Sequence, residues 1–184
     1  MTEIQDRITN ALQVLVGERW IRCSRAADMQ CFGFGRLIDD VDRRGNPVKR
    51  PSLALHVQCP WRVADPDRIL FAGDDLFRPA DERIPWDQYS WKKHASVLDV
   101  AAREWFDALG EDRLEVVSAT GGPHGGFRIV FEREIALEGF PCSSERGEYS
   151  ERWRVFRTRE KGSHFVVTGY GVEGGDDPAV PTGK

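Results

Sequence analysis

The chain has 184 residues, with 26 Lys and Arg against 30 Asp and Glu, so its formal net charge is −4. That balance excludes a generic binder of nucleic-acid phosphates, which needs a surplus of cations. A hydrophobic fraction of 40% excludes a wholly disordered chain, and no apolar run approaches the roughly 18 residues of a membrane helix.

The first predicted element is a helix. Ile4, Ile8, Ala11, Leu12, Leu15 and Val16 recur at helical spacing and form one apolar stripe. Thr2 followed by Gln5 has the form of a capping box, and Gly17 stands where a helix-ending glycine belongs. Short aromatic and branched stretches at 20–26 and 30–38 read as strands. The polar stretch 39–51 contains the turn signal Gly45-Asn46-Pro47. Over 53–61, Leu53, Leu55, Val57, Cys59 and Trp61 alternate with Ala54, His56, Gln58 and Pro60, which predicts a strand with one apolar face. Residues 68–77 read as its hairpin partner across the turn Asp65-Pro66-Asp67.

A second helix is predicted from a Ser90 cap to a Gly110 stop, with His94, Leu98, Ala101, Trp105 and Leu109 on one face. Strands are predicted at 114–119, 127–137, 153–158 and 164–170. Strands cluster here without a helix between each pair, which excludes a doubly wound parallel sheet. The expectation is one α+β domain over 1–173, a mostly antiparallel sheet with two helices, and a disordered polar tail over 174–184.

The N-terminal residues lack a basic region followed by an apolar core, so no secretory signal is expected. The four cysteines, Cys23, Cys31, Cys59 and Cys142, are too few for a disulfide scaffold and form no C-x-x-C pair. Reduced thiols and a cytoplasmic location follow as expectations.

Common motifs of hydrolases, nucleotide binders and metalloproteins are absent. His56 and Cys59 are three apart on a predicted strand, so they point to opposite faces and make a poor metal pair. The glycine-rich run 120–126 leads into a strand, not a helix, and reads as a hairpin connection rather than a phosphate cradle. No catalytic residue, metal or cofactor is expected.

Binding candidates remain. His56, Gln58 and Arg62 continue one polar side of the predicted 53–61 strand. Arg25 and Asp28 can join them if Asp28 accepts from His56 and the arginines hold an anion. Trp86 and Trp91 sit in a segment read as a surface loop, where exposed indoles act as anchors for a partner. The charge is also unevenly spread. Segments 65–82 and 132–151 each hold six acids and two arginines, whereas 152–161 holds five bases and one acid. Acidic surface of this kind steers a basic partner.

Three stretches together resemble a known group. They are Cys23-Ser24-Arg25-Ala26-Ala27-Asp28-Met29 with Phe32-Gly33-Phe34-Gly35 after it; Leu55-His56-Val57-Gln58-Cys59-Pro60-Trp61-Arg62; and Phe140-Pro141-Cys142-Ser143-Ser144 followed by Glu151-Arg152-Trp153-Arg154-Val155-Phe156 and His164-Phe165-Val166-Val167. Their order resembles a group of small uncharacterised bacterial proteins, some of which look like immunity proteins of polymorphic toxin systems. The resemblance implies an α+β fold, a bacterial cytosolic setting and, for some members, neutralisation of a toxin. Similar sequences tend to carry an acid before the serines, where this chain has Cys142.

Two functional expectations follow. The first is a non-enzymatic protein-interaction module, an immunity-type neutraliser of a basic toxin or a protein that binds its own copy, with neither membrane nor nucleic acid as partner. The second is a small-molecule-binding or hydrolytic protein with a polar site around His56.

Overall fold

A computed structural model describes residues 2–147, 150–160 and 164–173. The 174–184 tail lies outside the described residues. The first helix, α1 (Glu3–Leu12), begins with the expected capping box: Thr2 Oγ1 accepts from Gln5 N, and Gln5 Oε1 accepts from Thr2 N. It tightens into a 3₁₀ turn at Gln13–Leu15, and Gly17, at φ +81°, turns the chain away. Ile8, Ala11, Leu12 and Leu15 are buried, while Ile4 and Val16 flank them exposed.

Strands β1 (Trp20–Ala26), β2 (Met29–Val41) and β3 (Pro47–Val57) then form two successive hairpins. Between β2 and β3, the Asp42 carboxylate accepts from the backbone N–H groups of Arg44 and Asn46 and fixes the turn. The remaining elements are β4 (Trp61–Ala64), β5 (Ile69–Ala72), α2 (Val97–Leu109), β6 (Val116–Gly121), β7 (Phe127–Phe131), β8 (Ala136–Gly139), β9 (Glu151–Arg157), β10 (Phe165–Thr168) and β11 (Gly171–Glu173).

All strand pairing is antiparallel, and the architecture is α+β. The strands divide between two sheets. One has six strands in the order β1-β2-β3-β9-β10-β11, and the other has five in the order β5-β4-β8-β7-β6. The single strand expected over 53–61 is therefore two strands. β3 ends at Val57, the N–H groups of Gln58 and Cys59 both donate to Arg152 O, and β4 starts at Trp61 in the other sheet. Pro60 has no N–H to extend the ladder, so the pairing stops there. The alternation survives the crossing because Leu53, Leu55 and Val57 face the core from one sheet while Trp61 and Val63 face it from the other.

The expected strand over 127–137 also divides. β7 and β8 are joined by Arg133 and Glu134, both at positive φ (60° and 58°), the backbone of a type I′ hairpin turn. The usual Asn-Gly signal for such a turn is missing. The second helix starts later than expected, with Ser96 as its cap. Ser96 Oγ accepts from Asp99 N, and Asp99 Oδ2 accepts from Ser96 N. His94 precedes the helix and closes a turn by accepting from Ser90 N. No helix among the described residues is long and apolar enough to cross a membrane.

Trp20 sits at the centre of the packing, 1% exposed. Its ring lies 5.0–6.4 Å from Phe32 on β2, Phe71 on β5, Trp105 and Phe106 on α2, and Phe131 on β7. Its Nε1–H donates to Arg22 O at 2.9 Å. A second aromatic group forms where Trp153 meets Phe127 and Phe165, with Trp153 Nε1–H donating to Gly125 O at 2.7 Å. α1 closes the β6 edge of the five-stranded sheet. Gln13 Nε2 donates to Ala119 O, and Gly121 N donates to Thr9 Oγ1. A Cβ on Gly121 would stand 2.5 Å from Gln5 O, so this contact requires glycine.

Replacing Trp20 by Ala is expected to cost about 3–5 kcal/mol, the range for a large aromatic removed from a well-packed core. Urea unfolding of the Trp20→Ala variant, followed by circular dichroism, measures this directly.

Candidate functional site

Strand alternation decides where each candidate residue points. On β1, Arg22, Ser24 and Ala26 face outward, whereas Cys23 and Arg25 turn towards α2. Arg25 Nε and Nη2 donate to the two oxygens of Asp99 at 2.9 and 3.2 Å. Nη2 also donates to Trp91 O and Nη1 to Ala27 O, both at 3.2 Å, and the guanidinium lies 5.6 Å from the Trp91 ring centroid. Arg25 is thus a clamp joining the β1–β2 turn, the segment before α2 and the first turn of α2. Partial burial pulls the Asp99 pKa upward, but the bonds from Arg25 and Ser96 outweigh it and hold the carboxyl at about 2. Asp28 occupies the β1–β2 turn, exposed, with no hydrogen bond or ion pair among the described residues.

His56 faces the opposite side of the six-stranded sheet. Register aligns Cys31, His56 and Arg154 across β2, β3 and β9. The His56 ring packs edge-on against Phe156 at 4.9 Å, and Phe156 stacks on His164 at 4.2 Å. His56 Nδ1 is buried with no hydrogen-bond partner among the described residues. Burial first, then the nearby Arg154 and His164, push the His56 pKa down to about 4. The imidazole is therefore neutral at pH 7 and offers hydrogen bonds, not charge.

The expected convergence of Arg25, Asp28, His56, Gln58 and Arg62 does not form. Arg25 and His56 lie on opposite faces of one sheet. Gln58, in the crossing segment, donates to Glu151 at 3.2 Å. Arg62 belongs to the five-stranded sheet, where it donates to Glu138 Oε2 at 2.7 Å and covers Phe140. The period of two treats 53–62 as one strand, so it cannot register the change of sheet that separates His56 from Arg62.

Around His56 the outer face of the six-stranded sheet forms a groove of about 380 Å³. Arg22, Arg43 and Arg50 line it, together with Ser24, Cys31, Ala54 and Phe156, and no acid does. Sequence reasoning missed these arginines. Arg22 belongs to β1, Arg43 to the β2–β3 turn and Arg50 to β3, so only the double hairpin brings them together. The Cys31 thiol is pushed up by burial, which disfavours the thiolate a nucleophile needs. Among the described residues no acid is paired to His56. The arrangement suits binding more than proton transfer. Among the described residues, no group of three or more His, Cys, Asp or Glu is placed to hold a metal ion.

The two candidate indoles also part. Trp91 is half-buried beneath Arg25 and Lys92 and packs against the core. Trp86 is 68% exposed. It lies on a long segment between β5 and α2 whose ends are held together: Pro79 bridges Ser96, Ala80 N donates to Ala95 O, and Val97 N donates to Arg78 O. Tyr89 Oη donates to Leu76 O at 2.7 Å and ties the loop inward. Glu82 and Asp87, near Trp86 in sequence, are exposed and have no ion-pair partner among the described residues.

About half of the described acids in segments 65–82 and 132–151 are neutralised at home, Asp65 with Arg68 among them. Glu138 pairs with Arg62 and Arg128, Glu145 with Arg152, Glu151 with Arg154, Asp75 with Arg78 and Asp81 with Arg83. The polarised sequence folds into cross-strand and short-range pairs, each worth about 0–1 kcal/mol where exposed.

Two outcomes test these assignments. Arg25→Ala is expected to destabilise the fold by about 1–3 kcal/mol, because Asp99 loses charge-assisted hydrogen bonds. A double-mutant cycle with Asp99→Asn then shows positive coupling in urea unfolding. A His pKa lowered in the folded state favours folding fully above its unfolded value of 6.5, and this contribution is lost as pH falls towards about 4. Between those values the unfolding midpoint of the native chain is expected to fall more steeply than that of His56→Gln. No protein-family model, curated protein or solved structure matches this chain.

Proposed function

We propose that the chain is a non-enzymatic protein-binding module that engages its partner through the loop of residues 80–95, with Trp86 as anchor. The observation that carries this reading is an indole 68% exposed on a segment whose ends are hydrogen-bonded together. An ordered loop loses less conformational freedom on binding than a loose one, and a large rigid ring supplies much contact area at low entropic cost. Glu82 and Asp87 flank Trp86 in sequence without ion-pair partners among the described residues, whereas Lys92 and Lys93 lie at the far end of a loop that is neutral overall, so the partner is a protein with an apolar pocket for the indole and basic groups only where it meets Glu82 and Asp87. The resemblance to immunity-type proteins supports the same reading, with a basic toxin as the partner and steric blocking as the mechanism. A cytoplasmic setting belongs to it as well. Broad electrostatic steering contributes less than the sequence suggests, because about half of the described acids of 65–82 and 132–151 already have arginine partners.

The test places a photo-crosslinking residue at Gln88, identifies the partner in the native host, and measures its affinity for the purified chain. Trp86→Ala is expected to weaken that affinity by about tenfold or more while leaving the unfolding midpoint within about 0.5 kcal/mol. Glu82→Lys is expected to slow association, with the difference shrinking at high salt. Unchanged affinity in Trp86→Ala overturns the reading. So does a crosslink formed only to a second copy of the chain, which makes the loop a self-association surface.

A further inference from the structure

The groove on the outer face of the six-stranded sheet lies apart from the Trp86 loop, and three of its properties converge on a ligand. First, its charge is one-sided. Arg22, Arg43 and Arg50 line it and no acid does, in a chain whose net charge is −4. Arg50 is held by Asp40 at 2.7 Å, but neither Arg22 nor Arg43 has an acidic partner among the described residues. Among the described residues the Arg22 guanidinium donates to a backbone carbonyl, Lys49 O, at 3.2 Å, and to no carboxylate. Guanidinium groups left without a carboxylate are suited to bind a planar or tetrahedral oxyanion.

Second, the floor is apolar. Gly33 and Ala54 lie side by side across β2 and β3, and Phe156 borders them from β9. The Pro51 ring fills the space above Gly33, 2.3 Å from where a Cβ would stand, and joins Ala54 and Phe156 in the floor. Third, the His56 Nδ1 is buried without a hydrogen-bond partner among the described residues, an unmet requirement at the groove wall. A volume of about 380 Å³ falls at the lower end of the range of small-molecule sites, about 300–1,000 Å³.

We propose that this groove binds a small organic anion, an apolar body carrying one carboxylate, sulfonate or phosphate group, with Arg22 and Arg43 on the anionic group and the floor of Pro51, Ala54 and Phe156 beneath the apolar part. Burial keeps His56 neutral near pH 7, so it adds a hydrogen bond and no repulsion or attraction of its own. The proposal stands independently of Trp86 and of any protein partner.

The probe is 1-anilinonaphthalene-8-sulfonate, titrated by fluorescence into the folded full chain, with the uncharged N-phenyl-1-naphthylamine as its comparison. Combining Arg22→Gln with Arg43→Gln is expected to weaken the sulfonate about fivefold or more and to leave the uncharged probe unchanged. Ala54→Leu, which fills the floor, is expected to weaken both probes. Urea midpoints close to that of the native chain certify that the variants fold, and Arg22→Lys provides a milder variant in which partial recovery is expected. The proposal is overturned if the sulfonate binds the double-arginine variant as tightly as the native chain. It is equally overturned if Trp86→Ala, and not Ala54→Leu, removes the signal. Displacement of the sulfonate by a single-stranded oligonucleotide but not by phenyl phosphate overturns it too, in favour of a nucleic-acid strand. Failure of any of these leaves the Trp86 affinity measurement untouched, so the two readings fall separately.

Discussion

Burial of one indole sets the terms for the rest of the molecule. Trp20 is the first residue of β1, yet its ring touches β2, β5, α2 and β7. Two sheets and a helix therefore share one contact point. Each of those elements alone presents an apolar face that is unstable in water, and packing them against a common aromatic group satisfies all of them at once. The ring's only polar atom is satisfied locally by Arg22 O, so the group carries no unpaired donor into the core. α2 is held at two levels, by Asp99 of its first turn against Arg25 and by Trp105 and Phe106, about two turns later, against Trp20. The same β1 strand supplies both anchors.

That division of labour along β1 explains how the surface is laid out. Inward-facing Trp20, Cys23 and Arg25 build and clamp the core, leaving Arg22, Ser24 and Ala26 for the outer face. The helices occupy other positions, α1 along β6 and α2 against the β5 end and β1. Consequently the outer side of β1, β2 and β3 keeps a groove, and the segment leading into α2 is free to project Trp86. Both candidate surfaces follow from where the helices are not needed.

Much of this was legible from local chemistry. The Thr2–Gln5 box, the β1 bounds, the buried stripe of α1 and the α+β class follow from spacing and caps, which act over a few residues. What escaped was set by contacts far apart in the chain. Alternation through 53–61 is a statement about which side of the backbone meets the core, and it holds whether the strand stays in one sheet or crosses to another. Arg25 seemed available as an anion ligand because its partner, Asp99, is 74 positions away. The acidic runs looked like a surface patch because the arginines that neutralise Glu138 come from β4 and β7. Arg22, Arg43 and Arg50 looked unrelated because only the double hairpin gathers them.

The docking of α1 on β6 has a consequence for the newly made chain. Gln13 and Thr9 bond partners 106 and 112 positions later, at Ala119 and Gly121. At ribosomal speeds of about 5–20 residues per second, the helix waits roughly 5–20 seconds for the strand that covers it. During that interval Ile8, Ala11, Leu12 and Leu15 lack the β6 face they pack against, so this helix is made long before it is sheltered.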